Sequence, residues 1–543
     1  MPDAPHLVHW ADHAARRTLA AHPDTSPVVV AAGITPSGVV HIGNFREVIT
    51  VDFVARALAD QGAEVDFLYS WDDFDVFRKV PKDVPDPEAL AEHLGRSIAD
   101  VPDPWGCHES YAAHHVETFE ASLEPLGIRP RFVRQHRMYR SGAYAAGIRR
   151  ALEHAERIRT ILNDARRTHG AKRLLPDDWL PLAGFCDACG RDDLVFSWDG
   201  GDRVTARCNR CGHTSTTHLP DGGNLKLPWR VDWPMRWAHE RVCFEPGGKD
   251  HSSAGGSYDT ARRIVAEVYD WTAPEYVGYD FVRIKGEAGK ISSSRGGVVT
   301  VADCLEIYEP EVLRWIFASY RPNTEFQISF DLDVLKLYED YDRAVRLAHE
   351  AEDGSRSDKK RRMARRTLQL SRVDHRPVEP GTSPPYLPAF RPLSVALQIF
   401  DGDVEAALDF YRRAEDLPPD DPAAAERFRS RARCIWNWIE RFAPDDFRYR
   451  LRTEPVARDL EPAHREALAR IVAFLRDTPR PTEAEAADAL RGIVTNVPGG
   501  GRAFYPVVYD LLLGRDRGPK LSTLLAAAGG KRIVPLLAPS LGE

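Results

Sequence analysis

A strand, a glycine-containing turn, a helix and a second strand between Val28 and Tyr69, two Cys-x-x-Cys pairs eighteen residues apart, and an almost wholly helical second half predict the fold class. It is α/β: a Rossmann-type parallel-sheet domain, interrupted by a zinc-containing connective insert and followed by an all-α C-terminal domain. The 543 residues leave room for three or four such units. With 43% hydrophobic and 28% charged residues the chain can bury a large core, and wholesale disorder is excluded.

The elements follow in chain order. Val28-Val29-Val30-Ala31-Ala32 is a short apolar run ending at Gly33, the pattern of a strand buried on both faces. A Pro- and Gly-containing turn leads into a helix from about Gly43 to Asp60. There Phe45, Val48, Val51, Val54, Ala55 and Leu58 recur at three- and four-residue spacing, and Gln61-Gly62 ends it. Val65 to Tyr69 is the second strand, and this βαβ unit predicts a ligand crevice at the carboxyl ends of its strands. A Pro-punctuated stretch from Val80 to Asp103 breaks the pattern. A long helical segment from about Ser141 to His169 and the cysteine pairs follow, and strand-like and helical patterns resume at Leu225. The boundaries that result are 1–102 and 225–275 for the two halves of the parallel-sheet domain, 103–224 for the insert, 276–345 for a region carrying a basic loop, and 346–543 for the helical domain.

A net charge of −8 argues against a DNA packer, so no DNA partner is expected. Arginine outnumbers lysine about fivefold, the mark of a codon bias, so arginine count alone says little about RNA. The first residues lack the apolar core of a secretory signal, and no apolar run approaches the roughly 20 residues that span a bilayer. A soluble, cytoplasmic protein with no membrane partner is expected.

Two elements suit phosphate. In Gly33-Ile34-Thr35-Pro36-Ser37-Gly38-Val39-Val40-His41-Ile42-Gly43-Asn44, glycines permit close backbone approach, and a helix start offers free N–H groups beside an imidazole and an amide. An ordinary βα turn with a capping Asn is the competing reading. Gly289-Lys290-Ile291-Ser292-Ser293-Ser294-Arg295-Gly296-Gly297 is cationic and rich in hydroxyls, against the bland reading of a solvated loop.

Cys186-x-x-Cys189-Gly190 and Cys208-x-x-Cys211-Gly212 have the spacing of a Cys₄ zinc ribbon, and four thiolates leave no open position, so this zinc is structural. Asp103, Cys107, His108 and His114 form a second, mixed ligand set, with a surface His cluster beside a buried Cys as the alternative; the adjacent His115 keeps its geometry open.

Together, Pro36 to Asn44 (PSGxxHIGN) and Lys290 to Ser294 (KISSS) resemble the HIGH and KMSKS signatures of class I aminoacyl-tRNA synthetases. Asn44 in place of the final His, and Ser294 in place of the second Lys, are what the class I lysyl-tRNA synthetases show. The resemblance to that family extends through YSWDDFDVFRKVP (69–81), PDPWGCHESY (102–111), KLPWRVDWPMRW (226–237), FEPGGKDH (244–251) and NWIERFAPDDFRY (437–449). It implies a lysine–tRNA ligase whose lysine carboxylate attacks ATP to give lysyl-adenylate and pyrophosphate, before a tRNA-Lys 3′-terminal adenosine takes the lysyl group. It further implies His41, Asn44, Lys290, Ser292 and Ser293 as catalytic residues. ATP would be held by Pro36, Ser37, Gly38, His41, Gly43, Asn44, Asp250, Lys290 and Ser294, with Mg²⁺ as counter-ion. Lysine would be held by Gly33, Thr35, Trp229, His251 and Tyr279. The same Asp103–His114 ligand set occurs in the family, 276–345 corresponds to its stem-contact region, and 346–543 to its anticodon-binding helical cage.

A substrate with ammonium groups calls for carboxylates, and the acidic residues of Tyr69-Ser70-Trp71-Asp72-Asp73-Phe74-Asp75 end the second strand where ligands bind, against a solvated acidic loop or a helix cap; the resemblance, through an Asp-Asp pair the family keeps here, implies Asp73 as the leading candidate. For RNA, nine Lys or Arg fall between Arg356 and Arg376, either a phosphate contact or a solvated linker. Arg427, Arg429, Arg431 and Arg433 lie beside Trp436 and Trp438; the helical spacing of Ile435, Trp438, Ile439 and Phe442 favours burial over base stacking. The alternatives are a class I ligase for another amino acid such as glutamate, which the acidity of Asp72-Asp73 opposes, and a catalytically inactive, synthetase-like zinc-ribbon RNA-binding protein, which the intact His41 and Lys290 oppose.

Overall fold

The computed structural model describes residues 8–82, 84–171, 173–249, 256–285 and 298–542. The chain forms two compact units. The first holds Met1–Cys304, Pro310–Ile328 and Leu347–Gly381, and the second Leu305–Glu309, Ser329–Arg346 and Thr382–Glu543.

The first unit is built on a parallel sheet. Strands β1 (Val28–Ile34), β2 (Val65–Trp71), β3 (Arg131–Arg134) and, beyond a separate ribbon (β4, Leu194–Trp198; β5, Arg203–Cys208; β6, Thr214–His218), β7 (Val242–Phe244) lie in the order β3-β2-β1-β7. β1 pairs β2 in register from Val28↔Val65 to Ile34↔Trp71, and its other edge takes β7 through Val29↔Val242 and Val30↔Phe244. β1 is the central strand, and Val28 through Ala32 are all buried, as a strand covered on both faces requires. The chain order reverses on its two sides, which opens a crevice at its carboxyl end.

Helix α1 (Trp10–Ala21) and the longer α2 (Ile42–Asp60) pack together in this unit. α2 buries Phe45, Val48, Val51, Val54 and Leu58 on the face the periodicity marks, and also the charged Arg46 and Asp52. Asp52 meets Arg314, a fully buried residue of the helix Pro310–Ser319. The guanidinium lies 2.5 Å from Asp52 Oδ2 and donates to the carbonyls of Leu126 (3.0 Å), Leu370 (2.8 Å) and Ser371 (3.1 Å). One side chain therefore joins four stretches distant in sequence, and its charge is compensated on every side.

Several expectations change. Residues 131–134 fall inside the expected insert of 103–224, yet they form β3, paired to β2 from Leu68↔Arg131 to Trp71↔Arg134. The helix expected from Ser141 to His169 is two, Ala145–Glu153 and Ala155–Thr168, broken at His154, which leaves helical geometry. The basic stretch 356–376 is no linker: it holds the helix Asp358–Ser371 and belongs to the first unit, although it lies within the expected helical domain of 346–543. Several of its arginines are paired within the protein, Arg361 by Glu350, Asp353 and Asp358, Arg365 by Glu352, and Arg366 by Asp12 and Asp60.

The second unit is helical among its described residues. Leu468, Ile471, Leu512, Leu524 and Leu525 centre its core. Arg431, fully buried, holds Glu309 (2.8 Å), Asp342 (3.0 Å) and the Pro388 carbonyl (3.0 Å), while Trp438 is buried and donates to the Phe330 carbonyl. Burial rather than base stacking is the fate of both. One helical stretch, Leu521–Leu541, is long and apolar enough to cross a membrane, against the expectation of none; 67% of its apolar window is buried within the protein, where it supplies core leucines.

Without Arg314, Asp52 keeps only Arg56 (2.8 Å) and three buried carbonyls lose their donor, and each unsatisfied buried group costs about 1–3 kcal/mol. Arg314→Ala is expected to destabilise the first unit on that scale, read as a lowered melting temperature; an unchanged transition would contradict the role given to this arginine.

Candidate active site

The crevice at the end of β1 begins with a close approach. A Cβ on Gly33 would stand 2.8 Å from the Ser70 carbonyl oxygen of β2, so only glycine lets the two strands end side by side. The chain then turns through Thr35–Val40 and enters α2 at His41, the N-cap. Here the imidazole Nδ1 accepts from the Asn44 amide (3.3 Å), and Asn44 Oδ1 accepts from the His41 amide (3.1 Å). This reciprocal box gives the asparagine a structural reason. The imidazole lies against Gly43, where a Cβ would meet the ring at 2.8 Å. A helix start faced by glycines and polar side chains suits an anion.

A cavity of about 490 Å³ opens on this turn, with Gly33, Thr35, Ser37, Gly38 and Asn44 along one side. Its other side is acidic. Asp72 is bound by Arg236 at 2.6 Å, and burial raises its carboxyl although Arg236 opposes the shift. Asp75 accepts from Thr35 Oγ1 (2.9 Å) and lies 2.6 Å from Lys226 Nζ; burial works to raise this carboxyl, but Lys226 and the hydrogen bonds hold it below the usual range. Glu47 of α2 accepts from the Gly33 amide (2.9 Å) and the Tyr279 hydroxyl (2.6 Å); burial outweighs both and pushes it up to about 8. Trp229, stacked on Trp233 with centroids 5.1 Å apart, and Tyr279 complete the wall. Thr35, Ser37, Asp75 and Trp229 also line a second lobe of about 720 Å³ that runs past Phe77, Arg78 and Lys79 to Asp192 of the insert. The cleft thus offers an anion-binding helix start, a carboxylate wall and aromatic faces, a set matched to a ligand carrying both charges.

Asp73, the leading carboxylate on sequence grounds, points elsewhere. It is buried and accepts from the His136 amide (2.9 Å) with its other oxygen 2.6 Å from His136 Nδ1, while its neighbours Asp72 and Asp75 line the cavity. Strand alternation cannot be carried past Trp71, where β2 ends and the chain turns. Glu47 escaped notice in the sequence, although a carboxylate six residues after His41 in a mostly apolar helix was a usable signal. Lys290, Ser292, Ser293, Ser294, Asp250 and His251 lie outside the described residues. Of the flanks, Lys285 follows β8 (Val282–Ile284) and donates its amide to the Ile328 carbonyl, while Val299 accepts from the Ile42 amide and Thr300 bridges to His41. Val299 and Thr300, just after 297, therefore lie at the start of α2.

Both expected metal clusters converge. The sulfurs of Cys186 and Cys211 are 3.6 Å apart, those of Cys189 and Cys208 3.7 Å, and all four lie within 4.8 Å of one another, with every cysteine free. A tetrahedral zinc with bonds of about 2.3 Å spaces its thiolates roughly 3.8 Å apart, so the residues fit the ion. Gly190 and Gly212, both at positive φ, return their amides to the Cys186 and Cys208 carbonyls and shape the two knuckles. In the second cluster Cys107 Sγ stands 3.0 Å from His108 Nδ1 and 3.3 Å from His114 Nδ1, and Asp103 lies 3.7–3.8 Å from both imidazoles. His115 is buried against Tyr111 instead.

Residues 8–374 match the family described as tRNA synthetases class I (K). Over 537 residues, 98% of each chain, the protein is 42% identical to the lysine–tRNA ligase of Treponema pallidum (strain Nichols). It is 39% identical to that of Thermococcus kodakarensis, over 98% of this chain and 99% of the relative. The figure for Streptomyces coelicolor is 35%, over 95% of each.

Two outcomes follow from this geometry. Chelator-dialysed protein should retain zinc by elemental analysis, and Cys208→Ser should lose one equivalent and unfold the ribbon; a variant that stays fully loaded and folded would rule out the ligand set. Glu47 keeps its proton to about pH 8 in the folded protein and loses it near 4.5 when exposed, so the stability it contributes is full below 4.5 and declines as pH rises to 8. Melting temperatures measured from pH 5 to 8 should fall for the parent relative to Glu47→Gln.

Proposed function

The chain belongs to the class I lysyl-tRNA synthetases, and from that premise and the shape of the cleft we propose that it activates lysine with ATP and transfers it to tRNA-Lys. The observation that carries the reading is one cavity in which a helix start and three carboxylates, Glu47, Asp72 and Asp75, face each other beside Trp229 and Tyr279. Triphosphate belongs at the helix start, and lysine against the acidic wall.

In the first step the lysine carboxylate attacks the α-phosphorus in line, a P–O bond forms, and pyrophosphate leaves with the electrons of the α,β-bridging bond. The chain does no covalent chemistry; it positions the reactants and meets charge. Ser37, Gly38, His41, Gly43 and Asn44, with Pro36 shaping the turn, bind the nucleotide; Lys290, Ser292, Ser293 and Ser294 clamp its β- and γ-phosphates, and Asp250 contributes to the same site. Mg²⁺ supplies counter-charge to the phosphates when bound. Gly33 and Thr35 hold the amino acid, Trp229, Tyr279 and His251 enclose it, and Glu47 with Asp72 and Asp75 meets its ammonium groups. Arg236 and Lys226 already compensate Asp72 and Asp75, which leaves Glu47 as the carboxylate that lysine would ionise. In the second step the 3′-terminal adenosine of the tRNA enters by the larger lobe, and its hydroxyl takes the lysyl group from the adenylate, releasing AMP.

Zinc at the four cysteines, and a second ion at Asp103, Cys107, His108 and His114, serve structure: each set supplies four donors and leaves no position for a reactant. The helices of 382–543 take the anticodon arm, and the cytoplasm, where tRNA is charged, is the compartment assigned. A glutamate pocket would need a free cation where this one has carboxylates.

Lysine-dependent ATP–pyrophosphate exchange tests the reading. His41→Ala should slow it by about 10²-fold or more, the scale of deleting one preorganised donor. Exchange with glutamate and not lysine would overturn the specificity, and none with any amino acid, with or without tRNA, would favour the inactive alternative.

A further inference from the structure

Resting on the assignment of the cleft to ATP, we propose that Tyr111 is a positioning residue that holds the nucleotide-facing turn, and that the Asp103–Cys107–His108–His114 cluster fixes Tyr111 for that task. The Tyr111 hydroxyl donates to the Ser37 carbonyl at 3.1 Å, across 74 residues of sequence. Ser37 lines both lobes of the cleft, in the turn between β1 and α2. A hydroxyl that grips its carbonyl from behind sets the direction of the peptide groups on either side, including those presented to phosphate.

Tyr111 is itself held from three directions. It is fully buried, its ring meets Phe77 with centroids 5.3 Å apart, and its amide donates to the Val101 carbonyl at 2.8 Å. It opens helix α3 (Tyr111–Leu123), so His114 follows one turn later on the same side. Trp105 lies parallel to the His114 ring (4.0 Å, 14°) and nearly parallel to the Tyr111 ring (6.2 Å, 26°), a stack that joins the cluster to the tyrosine. Asp103 gathers the amides of Trp105, Cys107 and His108 at 3.1, 2.8 and 2.8 Å, which shapes the loop carrying Trp105. An ion bound by the four donors would lock that loop to α3, and with it the ring whose hydroxyl reaches the turn. The cluster therefore acts on nucleotide binding through Tyr111 and Ser37, without touching the substrate.

Tyr111→Phe removes the hydroxyl and keeps the ring. Calorimetric binding of a non-hydrolysable ATP analogue is expected to weaken about fivefold, the scale of one net hydrogen bond. KM for ATP should rise by the same factor, with kcat, KM for lysine, melting temperature and zinc content unchanged. Cys107→Ser, or Asp103→Asn should that variant fail to fold, should lose one equivalent of zinc and weaken the analogue equally, and the double variant should be no weaker than either single one. Parental affinity in Tyr111→Phe would overturn the role of the tyrosine; losses that multiply in the double variant would overturn its coupling to the cluster. If the parent fails to bind the analogue at all, the assignment of the cleft to ATP falls instead, and binding is measured without any amino acid, so this result is independent of lysine specificity.

Discussion

The close approach of β1 to β2 at Gly33 is the constraint on which the cleft depends. With no side chain at that position the strand end lies against the Ser70 carbonyl, and its amide is turned to Glu47. The next residues must then climb over the sheet edge, which delivers Thr35 to Asp75 and His41 to the head of α2. A larger residue would separate the two strand ends and move the acidic wall away from the helix start. The chemistry proposed for the site needs both within the length of one amino acid and one triphosphate.

Behind that wall lies a dense polar layer. Arg236 reaches Ser70 (2.7 Å) as well as Asp72, and Gln135 joins Ser70 (2.8 Å) and the Tyr144 hydroxyl (2.9 Å). Lys226 adds the Phe74 carbonyl to its bond with Asp75. Buried ion pairs of this kind contribute little net stability, since desolvation offsets attraction. Their value is orientation: Asp72 is held from behind by Arg236, and Asp75 and Glu47 by Lys226, Thr35, Gly33 and Tyr279 beside them on the wall, so the direction of each carboxylate is set before any ligand arrives.

Where local pattern governs, the sequence was legible. β1, α2 and β2 stand within two residues of the periodicity, the cysteine spacing marked a real cluster, and Trp438 is buried as its helical neighbours implied. Long-range partners were not legible. β3 reads Arg-Phe-Val-Arg, too short and too charged to announce itself, and is a strand only because β2 offers it an edge. Within the basic run of 356–376, Arg361 and Arg365 pair with acids close in sequence, but the partners of Arg366, Asp12 and Asp60, stand more than 300 residues away and could not be read locally. Asp73 and Asp72 differ by one position, and the turn after β2, invisible to composition, decides which of them faces the cavity.

The four-way grip of Arg314 bears on how such a chain emerges from a ribosome. Asp52 is synthesised early, while the carbonyls of Leu370 and Ser371 arrive roughly 300 residues later, which at about 5–20 residues per second is tens of seconds. Through most of that interval Asp52 and α2 are present without Arg314, and once Arg314 has been made its two last carbonyl partners are still to come. The nascent amino-terminal half therefore waits in an unfinished state, one suited to chaperone capture, until translation has passed the helix Asp358–Ser371.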